Sequence, residues 1–188
     1  MTVYKPKILE RTEFGNPILR KKARHLTIDE ITGNEIQELI ADMRYTCSER
    51  QYGVGLAAAQ VGVSVALSVI AIKPTPSRPD SNHFTQTIIN PEVIGGIGEK
   101  EAMWEGCMSF SSLDAPVFAQ VQRYRKIIAR YFDGDGVEHE EEMDGLVAHV
   151  FQHETDHCNG ILFVDKVEDP TTWMNASEYQ KMINIKNK

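Results

Sequence analysis

Gln152-His153-Glu154-Thr155-Asp156-His157-Cys158 is the stretch from which the rest of the chain can be read. On an α-helix, residues four apart differ by about 40° in azimuth, so His153 and His157 present their imidazoles on one face, one turn apart, at a spacing that suits one small divalent cation. Glu154 lies about 100° further round. Its carboxylate would point beside such a cation rather than at it, where it can take a proton from attacking water. That is the arrangement of a metallohydrolase. Two histidines at helical spacing also arise by chance on surface helices, so the reading calls for a third ligand.

Downstream, Asp165, Glu168, Asp169 and Glu178 are available, but none sits in a motif such as the His-x-x-Gly-x-x-His extension of zinc peptidases. Upstream, Cys107 lies between Gly106 and Met108, where the glycine permits close backbone approach. A thiolate with two imidazoles leaves one tetrahedral position open, the pattern of a catalytic rather than a closed structural centre. A lone Cys107 would read as a buried apolar residue; the helical pair gives it a second meaning. His149, one turn before His153, is a poor ligand candidate, because three collinear positions on a straight helix cannot close around one ion. It reads as packing or pocket lining.

Around this stretch, Asp144 suits an N-cap, Leu146, Val147 and Val150 form a buried stripe, and Gly160 suits a helix stop. Before it, strands are expected over 118–124 and 126–132, with Asp133-Gly134-Asp135-Gly136 as a hairpin turn. The acidic run 138–142 reads as a solvated strand edge. Thr87 to Asn90 and Val93-Ile94 read as short strands split by Pro91, 63–72 as a buried strand, and 73–86, with Pro74, Pro76 and Pro79, as an exposed loop. The first 26 residues read as irregular, with a turn at Gly15-Asn16-Pro17. Ile36, Leu39, Ile40 and Met43 predict a helix over 34–49, with Cys47 one turn on as a packing residue. Asp169-Pro170 is expected to open a last helix. Small residues crowd Gly53-Val54-Gly55-Leu56-Ala57-Ala58-Ala59-Gln60-Val61-Gly62, which lacks the Lys-Ser/Thr ending of a phosphate loop. Gln60 is the one polar group planted there, as a core hydrogen bond or as part of a site.

These elements predict one domain of α+β class over 1–188, with antiparallel strands packed around a central metal-binding helix and 168–188 as a helical C-terminal extension. A formal charge of −7 and a pI near 5.4 give no electrostatic reason to bind a nucleic-acid backbone, so no specific DNA binding is expected. The exceptions are Arg20-Lys21-Lys22-Ala23-Arg24 and the tail lysines Lys181, Lys186 and Lys188, which read as solvated faces. Cys47, Cys107 and Cys158 are too few for a secreted disulfide framework. With no apolar leader and no run approaching the ~20 residues of a membrane helix, a cytoplasmic protein without membrane contact is expected.

Together, Gly53-Val54-Gly55-Leu56-Ala57-Ala58-Ala59-Gln60, Glu105-Gly106-Cys107-Met108-Ser109 and Gln152-His153-Glu154-Thr155-Asp156-His157 resemble the three signature motifs of peptide deformylases, in the family's order. Gly15-Asn16-Pro17-Ile18-Leu19-Arg20 and Ile89-Asn90-Pro91 are also similar to that family. The resemblance implies that Cys107, His153 and His157 hold a divalent metal, with ferrous iron the usual one and nickel, cobalt or zinc accepted. It implies that Glu154 is the general base, and that Gln60 and the backbone N–H of Met108 stabilise the oxyanion. Val54 and Gly55 match positions that pair with extended substrate; Leu146 and His149 match positions around the methionine side-chain pocket. The reaction implied is removal of the formyl group from the N-terminal methionine of nascent peptides, and the basic tail would offer a transient ribosome contact. The chain departs from the family pattern at Ala59, Met108, Phe110-Ser111, His149 and Cys158, none of which removes a catalytic group. A general metallopeptidase and a non-catalytic deformylase-like protein are the competing readings.

Overall fold

Antiparallel pairing links all six strands into one sheet in the computed structural model, which describes residues 4–49, 53–75, 83–112 and 115–186. The strands are β1 (Gly55–Ala57), β2 (Leu67–Ile72), β3 (Phe84–Ser112), β4 (Ala115–Phe132), β5 (Glu138–Asp144) and β6 (Met174–Asn175). The sheet order is β1-β2-β3-β4-β5, and β6 adds to β4. The helices are α1 (Ile28–Ile31), α2 (Asn34–Glu49), α3 (Gly145–Cys158) and α4 (Ala176–Lys186). This is an α+β fold, and α3 touches each strand from β1 to β5.

β2 is buried on both faces, which explains its unbroken apolar run. Leu67 and Val69 face a core shared with Ile36, Ile40, Met43 and Cys47 of α2. Ile70 and Ile72 face a second core shared with Ala148, Val150 and Phe151 of α3. The α2 stripe thus lies where its periodicity places it, and Asp42, also buried, accepts hydrogen bonds from Tyr4 and the backbone N–H of Lys7.

Several expected boundaries shift. β2 begins at Leu67 rather than at residue 63, because the approach is tied elsewhere: Ala66 N–H donates to Arg24 O, and Val63 N–H donates to Ala58 O. The expected loop over 73–86 gives way to β3 at Phe84; Pro76 and Pro79 lie outside the described residues. Pro91 does not end the strand. Asn90 takes φ +51°, and the ladder slips between Ile89 and Glu92, so the missing N–H falls in a bulge. Asn90 is held there by its side chain, which accepts from Leu26 N–H and donates to Leu26 O. The two strands expected over 118–132 are one, β4.

The 133–136 turn joins β4 to β5, and the acidic strand β5 forms a sheet edge, as expected. Gly145, at φ +61°, turns the chain from β5 into α3. Asp144 occupies the cap position without a side-chain cap bond and faces Arg125 instead. Asp169 caps a 3-10 turn over Pro170–Thr172, not the last helix; α4 starts at Ala176, after β6.

Candidate metal centre

Cys107 and the two α3 histidines converge: one ligand atom from each of Cys107, His153 and His157 lies within 4.8 Å of the others. Cys107 Sγ stands 3.3 Å from His157 Nε2. The helix supplies two of these groups by its own geometry, but Cys107 arrives from a break in the β3–β4 ladder. Register runs to Gly106↔Phe118 and resumes at Ser111↔Pro116, leaving residues 107–110 without partners across the hairpin. This bulge turns Cys107 toward α3 and leaves Met108 without a residue opposite it in β4.

Glu154 is 3% exposed. Its Oε2 has no hydrogen-bond partner among the described residues, nor has His157 Nδ1. Burial pushes the Glu154 carboxyl above its ordinary value, while His153 and His157 pull the other way. An unsatisfied carboxylate oxygen beside a thiol and two imidazoles fits a divalent cation with a water-derived group next to it. Burial would also push up the thiol of Cys107, but the charge and hydrogen bonds of His157 and His153 prevail and bring it down to about 5. Burial opposes charge on His153, yet its contacts with Cys107 and Glu105 hold it well above its ordinary value. A cation on these atoms would take the place of that proton.

Gln60 is planted against the centre. Its Oε1 accepts from Ala57 N–H at 2.8 Å, which aims Nε2 at Cys107 Sγ and Ser109 Oγ, each 3.3 Å away. Gly55 lies against Glu154: a Cβ there would come 2.2 Å from Glu154 Oε1. Gly53 lies against Met108, where a Cβ would come 2.9 Å from Sδ. The small-residue stretch thus serves close approach to the site rather than phosphate binding. Val54 and Leu146 are half-buried against the core around α3. His149 is buried, with Nε2 2.8 Å from Glu105 Oε1.

Glu105 and Arg123 were not singled out in the sequence as functional. They are 4% and 3% exposed and form a bidentate pair, Nε to Oε1 at 2.6 Å and Nη2 to Oε2 at 3.1 Å. Arg123 Nη1 reaches Asp156, which also meets Lys166 Nζ at 3.2 Å. Glu105 Oε2 accepts from His153 Nδ1 at 2.8 Å, the outer contact that orients a metal-ligating imidazole. Burial alone would raise the Glu105 carboxyl, but donors from His149, His153 and Arg123 hold it far below the usual carboxylate range. The signal available was a glutamate at period-two spacing from Cys107.

An α+β scaffold presenting a thiolate and two imidazoles beside a buried carboxylate is that of a metal-dependent hydrolase. The polypeptide deformylase family model matches residues 8–173. A peptide deformylase 2 from a Nostoc species is 34% identical over 97% of this chain and 99% of its own. One from Xanthomonas axonopodis pv. citri is 39% identical over 84% of this chain and 86% of its own. Among solved structures, the class I type b peptide deformylase of Acinetobacter baumannii with Met-Ala-Ser bound aligns with a TM-score of 0.79 at 32% identity, covering 87% of this chain and all of that one. The chain belongs to the polypeptide deformylase family, as an enzyme of that family whose site is built on cysteine and two histidines.

Proposed function

We propose that this chain removes the formyl group from the N-terminal formyl-methionine of nascent peptides, acting as a single catalytic domain over 1–188. The observation that carries the reading is the buried, unpartnered Glu154 Oε2 beside the Cys107, His153 and His157 cluster. Those three residues would hold a divalent metal, ferrous iron first and nickel, cobalt or zinc as substitutes, which would supply Lewis-acid activation of water near neutral pH. Glu154 takes the proton of the attacking water and returns it to the leaving amine. Gln60 Nε2 and the Met108 N–H, within the bulge, donate to the oxyanion that forms on the formyl group. Substrate would lie extended along Val54 and Gly55, at the start of the edge strand β1, a form of strand addition, with Leu146 at the methionine side chain. The tripeptide held by the Acinetobacter relative starts with methionine, as the product of such a cleavage would.

The chain is assigned to the cytoplasm, with no membrane contact and no specific DNA binding. Among the described residues, no helix is long and apolar enough to cross a membrane. A transient ribosome contact through the tail is part of the proposal; Lys181 pairs with Glu178, the Lys186 side chain is not described, and Lys188 lies outside the described residues. The test is formate release from formyl-Met-Ala-Ser with acetyl-Met-Ala-Ser alongside, using iron- or nickel-loaded protein. Release from the formyl peptide alone supports the reading; cleavage of unformylated peptide bonds would replace it with a peptidase.

A further inference from the structure

Four donors converge on one buried carboxylate. Glu105 Oε1 accepts from Arg123 Nε at 2.6 Å and meets His149 Nε2 at 2.8 Å; Oε2 accepts from Arg123 Nη2 at 3.1 Å and meets His153 Nδ1 at 2.8 Å. An ionised carboxylate offers about four lone-pair sites, so Glu105 is saturated. Each imidazole nitrogen facing it must carry its hydrogen. For His153 that fixes the tautomer and leaves Nε2 as the lone pair available to a cation. For His149 it consumes Nε2, on a ring that is 7% exposed.

Arg123 meets each Glu105 oxygen with one donor and sends Nη1 to Asp156, so one lone-pair site on each oxygen is left for the imidazoles. His149 and His153 stand one turn apart on α3, so the two imidazoles grip opposite oxygens of Glu105 from the same helix face. Arg123 grips the same oxygens from β4. Without His149, Oε1 keeps only the Arg123 donor, and α3 holds Glu105 directly through His153 alone. We infer that His149 is a positioning residue of the metal centre: it fixes Glu105, which fixes the ring of His153. This rests on the metal-site reading above and adds a second role to a residue expected to line the pocket for the substrate's first side chain.

The test compares cobalt(II) affinity, by competition with a chelator, for wild type, His149→Leu and His149→Gln, whose amide nitrogen can reach where Nε2 stood. Cys107→Ser is the control for the site itself. The expected result is weaker cobalt binding by about tenfold or more in His149→Leu, with His149→Gln within about threefold of wild type, since loss of such an outer contact typically costs 10–100-fold. Should the Leu variant not fold, His149→Asn, one methylene too short, carries the same comparison against Gln. Wild-type cobalt affinity in the Leu or Asn variant, or a changed preference for the first side chain at unchanged affinity, would overturn the inference. Cobalt binding that survives Cys107→Ser would overturn the metal-site reading instead.

Discussion

Glu154 has to be ionised in a place that disfavours ionisation. Its folded-state carboxyl lies above the ordinary 4.5, because burial outweighs the pull of His153 and His157. The folded chain therefore holds this proton more tightly than the unfolded chain, and the associated stability is present below about pH 4.5 and lost as pH rises through the folded value. Glu154→Gln should raise the melting temperature of metal-free protein at pH 7, with the gain shrinking toward pH 4, while turnover falls by about 10²–10⁴-fold and metal content is kept. Thermal melts and kinetics on one preparation read all three. Arg123→Leu should act in the opposite direction, destabilising the fold by roughly 3–5 kcal/mol in urea titrations, because it strips a buried carboxylate of its cation. His153, Glu154 and His157 were legible because their relation is local to one helix, and Cys107 because that pair needed a thiolate. The partnership of Glu105 with Arg123 was not, since 18 residues of sequence separate them and only the strand register brings them together. The contact of His149 with Glu105 was hidden for the same reason, since 44 residues separate them.

At the scale of elements, position in the site is set by interruptions of regular structure. The ladder break over residues 107–110 brings Cys107 to the α3 histidines, and Gly106 makes room for Phe118 where a Cβ would lie 2.7 Å from Cε1. The end of α3 is equally constrained. Gly160 sits at φ +72°, and a Cβ there would lie 2.5 Å from Arg20 O, so Gly160→Ala combines a left-handed backbone with a main-chain collision. That substitution should cost at least about 1–3 kcal/mol in denaturant titrations, without changing turnover per folded molecule. The helix stop was readable from glycine chemistry, and α2 from its stripe. The continuity of β3 through Pro91 was not, because the proline rule yields when a neighbour such as Asn90 adopts positive φ and its side chain satisfies Leu26. The opening of the last helix was misplaced because Asp169-Pro170 serves a 3-10 turn equally well.

Across the whole molecule, the C-terminal segment is fastened to the β3–β4 hairpin that carries Cys107. Tyr179 stacks on Phe118 with centroids 4.0 Å apart, and Trp173 joins Phe110 and Phe163. Composition gave no hint of this, since the stacked rings belong to β4 and α4, far apart in sequence, and meet where β6 pairs with β4. Occupation of the site should stabilise the entire chain, by about 2.7 kcal/mol when free metal stands 100-fold above Kd, so a chelator should lower the melting temperature reversibly. The central claim is that Glu154 works on a formyl group beside a metal held by Cys107, His153 and His157. Formate release from formyl-Met-Ala-Ser by protein carrying one nickel per chain, with nickel-loaded Glu154→Gln alongside, tests it most directly. Fast release by the wild type, and release slower by about 10²–10⁴-fold from the variant at equal nickel content, is the predicted result; equal rates from both, or no formate from the loaded wild type, would contradict it.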